Sequence, residues 1–180
     1  MGKILAAVLG LALSLQSAPA AAFGGPSNIV IANNNTDGRL AIRSNVQVMS
    51  EPGMIAAPQN FAFARASCVG CQTLAVALQL NFAGTDARFV APQNVAVAAN
   101  DACTDCTTIA IAFQVFLPLD DPTTAPAGVQ DAMREFNAEL RAVSTDPDIT
   151  LWEAEARIVS IVQLFADYAT ALDAQRSVSE

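Results

Sequence analysis

The sequence predicts an α+β protein, a six-stranded antiparallel meander of three repeated β-hairpins followed by a C-terminal two-helix hairpin. Three observations carry that expectation. Residues 68–79 read CVGCQTLAVALQ and residues 103–114 read CTDCTTIAIAFQ, identical at six of twelve positions. Ahead of them, APQNFAFA at 57–64 returns as APQNVAVA at 91–98, with GPSNIVIA at 25–32 as a fainter first copy. Three copies at a period of 32–35 residues imply a repeated supersecondary unit. Beyond Pro118 the hydrophobic period changes from two residues to that of a helix.

Within each copy an alternating run begins at Asn28, Asn60 or Asn94, meets a tight turn, and is followed by a second alternating run rich in Val, Ile, Leu and Phe. That pattern reads as two strands. The first copy carries Asp37-Gly38 at the turn, where the others carry Val69-Gly70 and Thr104-Asp105. Asp-Gly favours a two-residue hairpin loop with positive φ. Counting outward, Ala64 faces Ala75, Ala62 faces Ala77 and Asn60 faces Gln79. The third copy has one extra residue, which the hairpin register places in a β-bulge near Asn100. Glu51-Pro52-Gly53 and Ala83-Gly84-Thr85-Asp86 are turn-forming, so the hairpins are expected to join as a meander. Pro58 and Pro92 cannot donate to a ladder and are read as bulges or strand breaks. True breaks would allow a β-sandwich plus helices instead.

Alternation assigns two faces to these strands. One carries Ile29, Ile31, Ile42, Val46, Val48, Phe61, Phe63, Leu74, Val76, Leu78, Val95, Val97, Ile109, Ile111, Phe113 and Val115, and is expected to be the core face. The other carries Ala62, Ala64, Ala75, Ala77, Ala96, Ala98, Ala110 and Ala112, a low surface that another backbone or a flat partner could approach. Those eight alanines form the candidate interaction face, with cover by connectors or helices as the alternative. Arg43 and Asn45 in the first copy argue that one end of that face meets water.

Residues 126–143 place Val129, Met133, Phe136, Leu140 and Val143 on one side of a helix. Residues 151–172 do the same with Leu151, Ala154, Ile158, Ile161, Phe165, Tyr168 and Leu172. Thr150 with Glu153 forms a capping box, and Asp146-Pro147 separates the two helices. Both stripes need cover, as does the large-residue sheet face, so the helices are expected to pack on that face. Trp152 is read as a packing residue.

The N-terminal stretch MGKILAAVLGLALSLQSAPAAAF has one basic residue, Lys3, then an apolar run from Ile4 to Leu15 and A-x-A spacing at Ala18, Ala20 and Ala22. It reads as a signal peptide over residues 1–22, too short to span a bilayer. The remainder divides into a β-repeat domain at 23–119 and a helical hairpin at 120–180, with a secreted, periplasmic or cell-surface location. Beyond the leader, eight arginines face seventeen acidic residues, a balance that disfavours nucleic acid. No later segment reads as a membrane span. With no His in the chain, a Ser-His-Asp triad, a Cys-His pair and a histidine-ligated metal are excluded. The only Lys lies in the leader, and no glycine-rich phosphate loop occurs.

Export makes disulfides the first reading of Cys68, Cys71, Cys103 and Cys106. The first copy lacks both cysteines together, which suggests self-contained clips, Cys68–Cys71 and Cys103–Cys106, although cross-pairing stays open. The sharper alternative is a zinc site or a thiol-redox centre built from both C-x-x-C knuckles. The phrase C-x-x-C-x-T-x-A-x-A-x-Q, present from Cys68 to Gln79 and from Cys103 to Gln114, resembles tandem hairpin repeats in exported bacterial proteins of unassigned activity. The resemblance covers roughly residues 57–117 and implies a bacterial surface or secreted setting; it lends no catalytic residue. The chain is therefore expected to be a non-enzymatic secreted structural or interaction protein. It would use no cofactor, and its partner would be an unknown protein or another copy of itself.

Overall fold

Residues 27–179 are described by a computed structural model, and the expected leader at 1–22 lies outside them. Eight strands and two helices follow in order: β1 Ser27–Asn34, β2 Leu40–Glu51, β3 Ile55–Ala56, β4 Gln59–Ala66, β5 Gln72–Gly84, β6 Phe89–Val90, β7 Gln93–Asn100, β8 Thr107–Leu119, α1 Val129–Thr145 and α2 Leu151–Ser179.

The strands pair across copies and not within them. Sheet β1-β4-β7, sheet β2-β5-β8 and the short sheet β3-β6 are all parallel. The chain visits the three sheets in turn and then begins again, so it winds as a parallel β-solenoid of three coils. The antiparallel meander of hairpins is thereby overturned. A β-sandwich of facing hairpins is overturned as well, because each large sheet takes one strand from every copy.

The physical reason lies in which residues meet. In-register stacking sets Asn28 beside Asn60 and Asn60 beside Asn94, and sets Ala75 beside Ala110. A meander would instead neighbour the second strand of one copy with the first strand of the next, so matched positions would never touch. Stacking gives the buried amides their partners: Asn28 Nδ2 donates to Asn60 Oδ1 at 3.1 Å, and Asn60 Nδ2 to Asn94 Oδ1 at 2.8 Å. Buried amides left unpaired would each cost about 1–3 kcal/mol.

The turns are not the hairpin loops expected, because positive φ occurs at their second residue and not at Asp37, Val69 or Thr104. Gly38 and Gly70 each have φ 65°, and Asp105 at the matching place has φ 55°. They close strand-turn-strand arches whose two strands face each other, and the turns bond to one another: Gly38 N donates to Val69 O and Gly70 N to Thr104 O, each at 2.8 Å. The extra residue of the third copy makes no bulge in β7. Pairing holds to Asn100, and the insertion is taken up in the turn, where Ala102 has φ 50°. Pro58 and Pro92 are strand breaks, lying between β3 and β4 and between β6 and β7.

Two cores result. The alanine faces of the large sheets pack on each other, joining Val30, Ala32, Ala62, Ala64, Ala75 and Ala77. The outer face of β2-β5-β8 is covered by the helices, which bury Leu74, Val76, Leu78, Leu80 and Phe82 under Met133, Leu140, Ile158 and Phe165. Phe165 meets Phe113 at 6.0 Å and Phe136 at 5.3 Å, both edge-on. The capping box forms: Thr150 N donates to Glu153 Oε2 at 3.0 Å, and Glu153 N to Thr150 Oγ1 at 3.3 Å. Hydrogen bonds from Thr150 hold the Glu153 carboxyl below the usual carboxylate range. Trp152 does not pack as expected, being 64% exposed. Among the described residues, no helix is long and apolar enough to cross a membrane.

Candidate interaction surfaces and cysteine site

The sixteen-residue face expected to form the core is divided between two environments. Its members on β2, β5 and β8 lie under the helices. Its members on β1, β4 and β7 point away from both cores. The registers align them in two rows, Ile29-Phe61-Val95 and Ile31-Phe63-Val97. Ile29 is 56% exposed, Ile31 51%, Val95 42% and Val97 37%, while Phe61 and Phe63 are half-buried with their rings stacked at 6.3 Å. Polar rows border the array: Ser27, Gln59 and Gln93 on one side, Asn33 and Arg65 on the other. Arg65 is ion-paired with Asp101 at that border. A contiguous apolar patch with a polar rim is the usual form of a protein-interaction surface.

The alanines expected to form the interaction face are placed differently. Ala62, Ala64, Ala75 and Ala77 are fully buried between the sheets, and Ala110 and Ala112 are half-buried. Ala96 and Ala98 are exposed, because β7 belongs to the last coil and nothing described stacks beyond it. What sequence reasoning missed was that one strand periodicity can serve two opposite surroundings. The signal available was the contrast between the large helix-facing residues of the second strands and the alternating Ile, Phe and Val of the first strands, whose total exceeds what two helices can cover.

At the turns the cysteines pair as the clip reading expects. Cys68 and Cys71 lie at disulfide distance with Cα atoms 5.9 Å apart, and Cys103 and Cys106 likewise at 6.0 Å. Cross-pairing between copies is not adopted. Stacking of the coils brings the two pairs together, with Cys71 Sγ 3.4 Å from Cys106 Sγ and 4.0 Å from Cys103 Sγ. These three sulfurs lie within 4.8 Å of one another, a group compact enough for a soft metal if the thiols were reduced. Cys68 and Cys71 are buried, and Cys103 and Cys106 are half-buried. Thioredoxin-like exchange uses a helix N-terminus or cations to lower a thiol pKa; here the turn lies between strands, beside Asp101 and Asp105.

These features define a class: a three-coil parallel β-solenoid, flanked on one side by a helical hairpin and apolar on the opposite side. No family model matches the chain, and comparisons with curated proteins and with solved structures return no match.

Proposed function

We propose that this chain is an exported, non-enzymatic structural or interaction protein that holds a protein partner on the outer face of β1-β4-β7. The single observation that carries this reading is the register-aligned array of Ile29, Ile31, Phe61, Phe63, Val95 and Val97, left uncovered while the equivalent face of the second sheet is buried by helices. Burying these side chains in a partner would release about 25 cal/mol for each Å² removed from water. The occupant is a flat apolar protein surface and not an anionic membrane. The array carries no basic residue of its own, its nearest, Arg65, is paired with Asp101, and the chain is strongly acidic.

A photo-crosslinking residue installed at Phe61 in the producing cell should give one discrete protein adduct, and the same residue at Glu139 on α1 should give none. Equal labelling from both positions, or no adduct from Phe61, would remove the reading.

A second reading follows from the three close sulfurs: an extracytoplasmic zinc or thiol-redox site using both C-x-x-C turns. Thiol titration with metal analysis on protein from its native compartment separates the two. Four blocked cysteines without metal support the clips, and free thiols with stoichiometric zinc support the metal site.

A further inference from the structure

We infer that the protein forms a closed two-fold dimer through the open end of the solenoid, the free edges of β7 and β8, with a second copy as the partner. This is independent of the reading of the apolar array, which lies on a sheet face and not at the solenoid end.

The inference starts from the backbone. Gln93 N donates to Pro58 O at 2.8 Å, Asp101 N to Ala66 O at 2.9 Å, and Thr107 N to Cys71 O at 3.0 Å. In a parallel strand, alternate residues turn their amides to opposite neighbours. The amides of Asn94, Ala96 and Ala98 in β7, and of Ala110, Ala112 and Gln114 in β8, therefore point away from the sheet. Two parallel rows of donors and acceptors stand at one end of the molecule, a template for further strands. The side chains agree: Asn94, Ala96 and Ala98 are exposed, whereas Asn60, Ala62 and Ala64 one coil earlier are buried.

At the opposite end the edge of β2 is guarded. By the same alternation Val46 turns its amide to the free edge of β2, and there the Asn137 side chain of α1 takes it. Val46 N donates to Asn137 Oδ1 and Asn137 Nδ2 to Val46 O, both at 3.1 Å. In β2 the exposed Arg43 stands at the register position of Ala75 and Ala110, a charge at an edge of the kind that blocks pairing. In β1, where Ser67 N donates to Asn34 O, the amides of Ile29 and Ile31 face the free edge, so the cap lies on β2 alone.

An end with both edges open, opposite one whose β2 edge is capped, selects the assembly. Head-to-tail stacking would need both ends and would grow into fibres, while like ends joined by a two-fold axis close at two copies. With that axis normal to the sheets, β7 and β8 each meet their own counterpart in the second copy antiparallel, and the acidic turns at Asp101 and Asp105 of the two copies lie at opposite extremes. The area suffices. Strands of 8 and 13 residues, at about 3.3 Å per residue in sheets about 10 Å apart, present roughly 600 Å² per copy. A pair would bury roughly 1,200 Å², at the lower bound of stable interfaces.

The test is sedimentation equilibrium on the protein purified from producing cells, comparing the parent with Ala96→Pro/Ala112→Pro. Proline at these positions removes donors that face outward and leaves the bonds to β4 and β5 intact. The parent should sediment at twice the chain mass at micromolar concentration, and the double variant as a monomer with an unchanged circular dichroism spectrum. If the prolines impair folding, Ala98→Arg places a charge on the same end and should weaken dimerisation by roughly 100-fold or more. A monomeric parent, an assembly that grows without limit, or a folded variant that still dimerises would overturn the inference.

Discussion

Asn60 shows how much of this structure one amide can hold. It is buried, accepts from Asn28, and donates toward Ala77 O at 2.9 Å, Asn94 Oδ1 at 2.8 Å and Phe113 O at 3.1 Å, so it ties three coils and both sheets together. Asn60→Leu should cost about 2–4 kcal/mol in urea unfolding, because it strands several buried partners at once. Glu51 is the opposite case. It is buried at the end of β2, and its Oε1 has no partner among the described residues. Burial pushes its carboxyl above the usual range, against a smaller downward pull from the Ala57 amide. A carboxyl whose folded pKa exceeds its unfolded one stabilises the fold when protonated, and that contribution is lost as pH rises through the folded value. Glu51→Gln should therefore be at least as stable as the parent at pH 7, with the parent gaining on it as pH falls through the carboxylate range. Denaturation midpoints across that range check the sign. A parent advantage that grows with pH would contradict it.

At the scale of elements, the arch and the edge cap are the units to perturb. Each disulfide clip closes so short a loop that Cys68→Ser/Cys71→Ser should cost only about 2 kcal/mol on the chain-entropy model, measurable as a shift in denaturation midpoint. Asn137→Ala exposes the edge bonds of Val46, a residue only 4% exposed, and should lose about 1–3 kcal/mol. The same change should let the β2 edge pair, so that light scattering detects species larger than dimers. The turn chemistry was legible only in part, since Asp37-Gly38, Val69-Gly70 and Thr104-Asp105 adopt positive φ at their second residue but not at the first, where a hairpin loop needs it. Its meaning was not. A cysteine spacing of 5.9 Å between Cα atoms suits a hairpin and an arch equally, and only the strands beyond the turn decide which one forms.

Over the whole molecule, residues of one periodicity have unequal energetic weight. Leu78 is fully buried beneath the helices, and Leu78→Ala should cost about 2–5 kcal/mol through lost burial and a residual cavity. Ile31 has the same alternation and a similar volume but is 51% exposed, so Ile31→Ala should cost below about 1 kcal/mol. Comparable losses at both sites in calorimetry would mean that the outer face of β1-β4-β7 is covered. Ala77→Arg should prevent folding, because it drives an unpaired charge between the two sheets.

Local chemistry and periodicity determine the two strands of each copy, the positions of the turns, an interruption at Pro58 and at Pro92, a cysteine on each side of two turns, the apolar stripes of both helices and the Thr150-Glu153 cap. Each depends on residues near one another in the chain. Tertiary structure alone decided which strands share hydrogen bonds, which of two similar apolar faces the helices cover, and which end of the stack is left open. Period two states that a strand has two faces without naming what lies against either. The ladder partners of Asn60, Ile31 and Ala96 come from 32 or more residues away, so their surroundings follow from how the copies stack.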